Sequence, residues 1–193
     1  MRNAAAALLA LCLGWTPLAN ATDLDRPLIL VAKPELRDAV FGSTVLVVTP
    51  VGGDQHAGFI VNRPTAITLG NLFPEHGPSQ KIVDPVYLGG PIQTQVLFAL
   101  VQRPTNPGGD SFEMMPGLYA AADGAVIDKI IETDASHARF VAGLVAWKAG
   151  ELRDEIKAGA WYVLDADPAL LTRNTDNLWE DLVQRSVRIR NSI

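Results

Sequence analysis

Cysteine is almost absent: the 193 residues hold one, Cys12, and it lies in an N-terminal stretch that reads as removable. Without it nothing remains for a disulfide, a thiolate nucleophile or a cysteine-bound zinc. Histidine is scarce as well. His56, His76 and His137 are scattered, with no His-x-His or His-Glu-x-x-His spacing, which argues against a zinc site. No serine sits in a Gly-x-Ser-x-Gly elbow, no Gly-x-Gly-x-x-Gly follows a strand, and there is no Walker loop. Basic residues number 16 against 21 acidic ones, for a net charge of −5, and they form no run. Affinity for duplex DNA or RNA comes largely from Lys and Arg on phosphates, so no direct nucleic-acid binding is expected. No cofactor and no metal are implied.

Long hydrophobic runs are missing too. Residues 4–13 are apolar, but the run is too short for a membrane helix before Pro17 interrupts it. With Arg2 ahead of it and Ala19-Asn20-Ala21 behind, it has the layout of a secretory signal. Leu11 in front of Cys12 disfavours lipidation. The reading is a signal peptide over 1–21, cleavage before Thr22, a periplasmic location, and one acidic domain over 22–193 with enough length for a core.

What is present is a mixture of strands and helices. Apolar or β-branched runs predict strands over 28–32, 44–49, 57–61, 86–88, 96–101, 138–147 and 161–164, with short strand segments in 112–121. Helical turns are expected over 35–41, behind Pro34, and over 68–73, capped by Thr68. Further helices are expected over 125–132, 151–158 and 176–185. Residues 50–55 read as a hairpin loop of moderate length. Gly143, inside a strand, marks a bend or a close backbone approach. The early elements are strand-rich and hairpin-joined, which points to an α+β fold with a partly antiparallel sheet.

Two stretches stand out, Gly58-Phe-Ile-Val-Asn-Arg-Pro64 and Tyr87-Leu-Gly-Gly-Pro91. Each reads as a strand that stops abruptly. A guanidinium at one strand end and bare N–H groups at another suit an anion; they also suit two tight turns. The candidate ligand-binding residues are Asn62, Arg63, Gly89 and Gly90, joined by His56 from the neighbouring hairpin. His56 lies two residues from Asp54, and such a pair is able to act as a general base. Glu151 and Glu155 share a helix face, where interleaved Arg153 and Lys157 favour a solvated surface.

Other segments occur in a recognisable order: Leu30-Val-Ala-Lys-Pro-Glu-Leu-Arg-Asp38, Val45-Leu-Val-Val48, the two stretches above, Gly143-Leu-Val-Ala-Trp147, Gly150-Glu-Leu-Arg-Asp-Glu-Ile156, Ala160-Trp161 and Leu178-Trp179. Over about residues 28–185 the chain resembles the YqgE/AlgH family. The resemblance implies a single α+β domain with a coiled, bifurcated mixed sheet that includes a small barrel, surrounded by helices. It implies no established enzymatic activity; members carry the label of transcriptional regulators through a genetic link to alginate control. Two departures matter. Typical members look cytosolic, whereas this chain reads as carrying an export signal, as some members of the family do. The family's Gly-Gln-Leu-Glu segment reads Gly150-Glu-Leu-Arg153 here.

The expected function is therefore that of a non-enzymatic ligand-binding or protein-interaction module in the periplasm, whose partner is a protein or a small anionic ligand. One alternative is a hydrolase or isomerase using His56 or Glu151. Another is a cytosolic regulator of transcription that acts through a partner.

Overall fold

Strand alternation sorts the apolar residues to two sides of a sheet. The computed structural model describes residues 23–191, and the expected signal peptide and its cleavage site lie outside them. Its strands are β1 (Leu28–Ala32), β2 (Val45–Gly52), β3 (Gln55–Ile60), β4 (Pro64–Thr68), β5 (Pro85–Leu88), β6 (Ile92–Gln102), β7 (Phe112–Met115), β8 (Leu118–Ala121), β9 (Ala138–Trp147) and β10 (Trp161–Asp165). Its helices are α1 (Leu69–Leu72), α2 (Gly124–Thr133), α3 (Glu151–Lys157) and α4 (Leu178–Arg190).

The strands run in the order β10-β1-β2-β3-β9-β6-β8-β7, with β4 and β5 off this path. Pairing is antiparallel along that path, and the sheet curls into a half-barrel that brings β7 towards β2. The sheet divides at β9. One edge of β9 pairs with β6. The other edge is shared: Val141 and Ala142 align with β5 in parallel, and Val145 to Trp147 align with β3. This is the α+β fold that the residues implied, with the bifurcated mixed sheet that the family resemblance implied.

Gly143 sits beside this branch point with φ +78°. A Cβ there would lie 2.5 Å from the Gly90 carbonyl oxygen and 2.9 Å from that of Ile92. The expected close backbone approach is thus present, and a side chain would force the branches apart.

On one side of the sheet, Ile29, Val31, Val45 and Phe59 pack with Leu178 and Leu182 of α4. On the other, Leu28, Leu30 and Leu46 pack with Leu152 of α3 and with Trp147 and Trp161. A third cluster seats Ile127, Ile130 and Ile131 of α2 on Ala99, Val101 and Phe140. Burying each such side chain contributes roughly 1.5–3 kcal/mol. Among the described residues no helix is long and apolar enough to cross a membrane.

Three local expectations need correction. Residues 35–41 form turns rather than a helix. The Asp38 carboxylate accepts from the N–H groups of both Val40 and Phe41, each at 2.8 Å, and a short acidic side chain that takes local N–H groups competes with helical bonding. The 50–55 hairpin is tighter than expected: Gly52 pairs with Gln55 across Gly53-Asp54, whose φ angles of +58° and +59° match a two-residue turn. Pro64 opens a strand, β4, instead of only ending one. It stands at the strand's first position, where the missing N–H is tolerated.

Candidate functional site

Arg139 is the one Lys, Arg, Asp or Glu among the described residues that is buried, at 7% exposure. It stands near the start of β9, between Ala138 and Phe140, and pairs with Leu100 of β6. Its guanidinium reaches the junction of three segments. Nη1 donates to the Val61 carbonyl just past β3, at 2.7 Å. Nη2 donates to the carbonyls of Leu171 at 2.6 Å and Arg173 at 3.0 Å. The guanidinium carbon lies 4.8 Å from the centre of the Tyr87 ring of β5, a cation–π contact.

These acceptors are held in place locally. Asp167 caps the 3-10 turn Pro168–Thr172 by accepting from the Ala169 N–H. Arg173 Nη2 returns to Asp167 Oδ2 at 2.9 Å. The carbonyls of Leu171 and Arg173 therefore face Arg139 from a pinned loop.

Burial pushes the Arg139 pKa below its ordinary value, and the neighbouring Tyr87 and Asp84 oppose that shift. The group stays cationic at any ordinary pH. Among the described residues no carboxylate lies within ion-pair distance of it. Its five N–H donors also outnumber the three carbonyls. A buried cation without a counter-charge is costly, and carbonyl dipoles offset only part of that cost. The guanidinium lines a cleft of about 470 Å³ whose rim carries Asp84, Ser136, Thr172, Arg173 and Asn174. A planar fork at the base of a polar cleft suits a carboxylate or phosphate.

The two stretches singled out in the sequence do meet here. Ile60 N–H donates to Gly89 O, and Leu88 N–H donates to Arg63 O, each at 2.8 Å. Their side chains are otherwise occupied. Asn62 Oδ1 accepts from Val45 N–H at 2.8 Å, and its Nδ2 donates to Ser43 O at 3.0 Å. Arg63 turns away from the glycines and donates to the carbonyls of Ala39, Val40 and Gly42. Gly89 and Gly90 are buried, and the Gly89 N–H is taken by Ala142 O. The guanidinium at this junction is that of Arg139. A charged residue inside the otherwise apolar strand 138–147 was the signal for it.

Arg63 thus clips the 39–42 turns. Arg63→Ala is expected to lower stability by about 1–2 kcal/mol and to open residues 35–44 to limited proteolysis, with cleavage sites read by mass spectrometry.

His56 lies away from the cleft. It is buried, its Nε2 is 2.9 Å from the Leu24 carbonyl oxygen, and its Nδ1 has no partner among the described residues. Asp54 turns instead to Arg153 at 2.8 Å, so this pair joins the β2–β3 hairpin to α3. That contact uses the arginine by which this chain departs from the family's segment. Glu151 Oε2 accepts from Lys148 N–H at 2.8 Å.

Glu155 departs from the solvated-face expectation. Its Oε2 accepts from the indole N–H groups of Trp147 at 3.0 Å and Trp161 at 2.8 Å. Glu155→Ala leaves two largely buried indole donors unsatisfied. A loss of about 2–4 kcal/mol is expected, with altered tryptophan fluorescence; Glu155→Gln, which keeps an acceptor, costs less. Among the described residues no group of three or more His, Cys, Asp or Glu side chains is placed to hold a metal ion.

The comparisons with known proteins agree on family and fold. A family model described as DUF179, AlgH-like, matches residues 29–188. A UPF0301 protein of Chlorobaculum tepidum is 30% identical over 164 residues, covering 83% of each chain. One from Bacteroides thetaiotaomicron is 30% identical over 166 residues, covering 83% of this chain and 82% of its own. The solution structure of the AlgH protein from Pseudomonas aeruginosa superposes with a TM-score of 0.69 at 23% identity, covering 86% of this chain and 90% of that one. A crystal structure of a Corynebacterium diphtheriae protein gives 0.68 at 24%, covering 83% and 86%.

Proposed function

Because the chain belongs to the AlgH-like DUF179 family, which is defined by sequence and fold and not by a known reaction, we propose its function from the site itself: a non-enzymatic binding module that takes a small anion at Arg139. The observation that carries this reading is the buried guanidinium, bonded to three backbone carbonyls and facing a polar cleft with no ion-paired carboxylate among the described residues. An arriving carboxylate or phosphate would supply the missing counter-charge in a partly desolvated place, where charge-assisted bonds are strong.

The N-terminal sequence supports a periplasmic setting for this binding, with residues 1–21 acting as an export signal. The acid/base alternatives draw little support. His56 is buried and engaged with Leu24, and Glu151 is engaged with its own helix start.

Thermal unfolding with acetate, succinate or inorganic phosphate tests the reading. A binder present at a hundredfold excess over its Kd stabilises by about 2.7 kcal/mol, or roughly 5–10 °C in Tm for a domain of this size. Arg139→Lys, which keeps the charge but loses the fork, should abolish most of that rise. If none of the three anions raises Tm above an equal ionic strength of chloride, the reading fails.

A further inference from the structure

The Arg139 cleft carries charges of both signs. Arg139 sits at its base and Asp84 on its rim, from the segment leading into β5. Asp84 is exposed, and among the described residues it takes part in no ion pair. Arg173, also at the exposed rim, is already engaged by Asp167. The apolar residues Ile82, Pro85 and Leu171 line the same cleft. A simple anion would satisfy Arg139 and leave Asp84 to repel it.

On the reading that this cleft binds an anion, we infer that its ligand is a zwitterion of the amino-acid class, with its carboxylate on Arg139, its ammonium group on Asp84 and an apolar side chain against Ile82, Pro85 and Leu171. The carboxylate accepts from the planar guanidinium, for which Arg is better shaped than Lys. The ammonium turns a repulsive rim carboxylate into an attractive one. Asp84 is felt at Arg139, where its charge works against the effect of burial on the guanidinium. A cleft of about 470 Å³ is within the range of small-ligand sites. Free amino acids and the ends of short peptides share this chemistry.

Calorimetric titration of the protein with L-leucine, with 4-methylpentanoate (the same skeleton without the amine) and with leucyl-leucine decides the matter. Leucine should bind about 5-fold more tightly than 4-methylpentanoate, the yield of one partly exposed ion pair of ~1 kcal/mol. In Asp84→Asn, a surface change that leaves the fold intact, that preference should vanish while 4-methylpentanoate binds at least as tightly as before. Tighter binding of leucyl-leucine than of leucine assigns the site to peptides, and the reverse order to free amino acids; both orders support the inference. Equal affinity for leucine and 4-methylpentanoate in the wild type, or a preference that survives Asp84→Asn, overturns the zwitterion and leaves the anion site standing. Failure of all three compounds to bind overturns the anion site itself.

Discussion

Gly90→Ala is expected to cost more than about 4 kcal/mol and to leave little folded protein. A Cβ at Gly90 would lie 2.2 Å from both the carbonyl carbon and oxygen of Leu144 and 2.7 Å from the Val145 nitrogen. Those atoms are backbone of β9, so no rotamer change relieves the overlap. Either β9 moves or the end of β5 leaves it, and both outcomes break the branch of the sheet. Losses of this size are unusual and trace to a specific clash. Gly77→Ala is the control. Nothing lies within 4 Å of its added Cβ, and its stability should stay within about 0.5 kcal/mol of wild type. Urea unfolding of the two variants measures the contrast.

Arg139→Met should lower stability by about 3–5 kcal/mol. The methionine fills part of the space but leaves the carbonyls of Val61, Leu171 and Arg173 without their donor. Each orphaned buried group costs roughly 1–3 kcal/mol, reduced where water enters from the cleft. Removal of an uncompensated buried charge works in the opposite direction, which keeps the net loss below the sum of three orphaned groups. Arg139→Lys should fall between, since one ammonium cannot present the same fork to three carbonyls. An unfolding free energy for Arg139→Met within about 1 kcal/mol of wild type would mean that the guanidinium does not hold this junction together.

Most of the strands were legible in the sequence, and little of the site was. β1 and β9 could be delimited from apolar runs and their stops, and the capped turn at Thr68 was readable from one hydroxyl-bearing residue, whose side chain accepts from Asn71 N–H. The turns at 35–41 were misread because Pro34 suits the start of a helix, while the competing signal is one carboxylate, Asp38, bonding two local N–H groups. Charge spacing made Glu155 look like a surface residue. Its two indole partners come from β9 and β10, and no local pattern announces a contact of that kind.

The same limit applies to the arginines. Arg63 ends a conspicuous motif, and its guanidinium lies on backbone carbonyls of a loop more than twenty residues away in sequence. Arg139 has no motif around it. Its meaning depends on Val61, Tyr87 and Leu171 arriving at one place, and that is a property of the branched sheet and the pinned loop after it.

The most direct test of the anion site at Arg139 is the arginine Nε–Hε region of a nitrogen–proton NMR spectrum during titration with acetate, with Arg139→Lys used to assign the resonance. The Arg139 resonance is expected to move and saturate, while those of Arg63 and Arg153, which lie outside the lining of the cleft, stay in place. An unmoved Arg139 resonance, or shifts spread evenly over all the arginines, would contradict it.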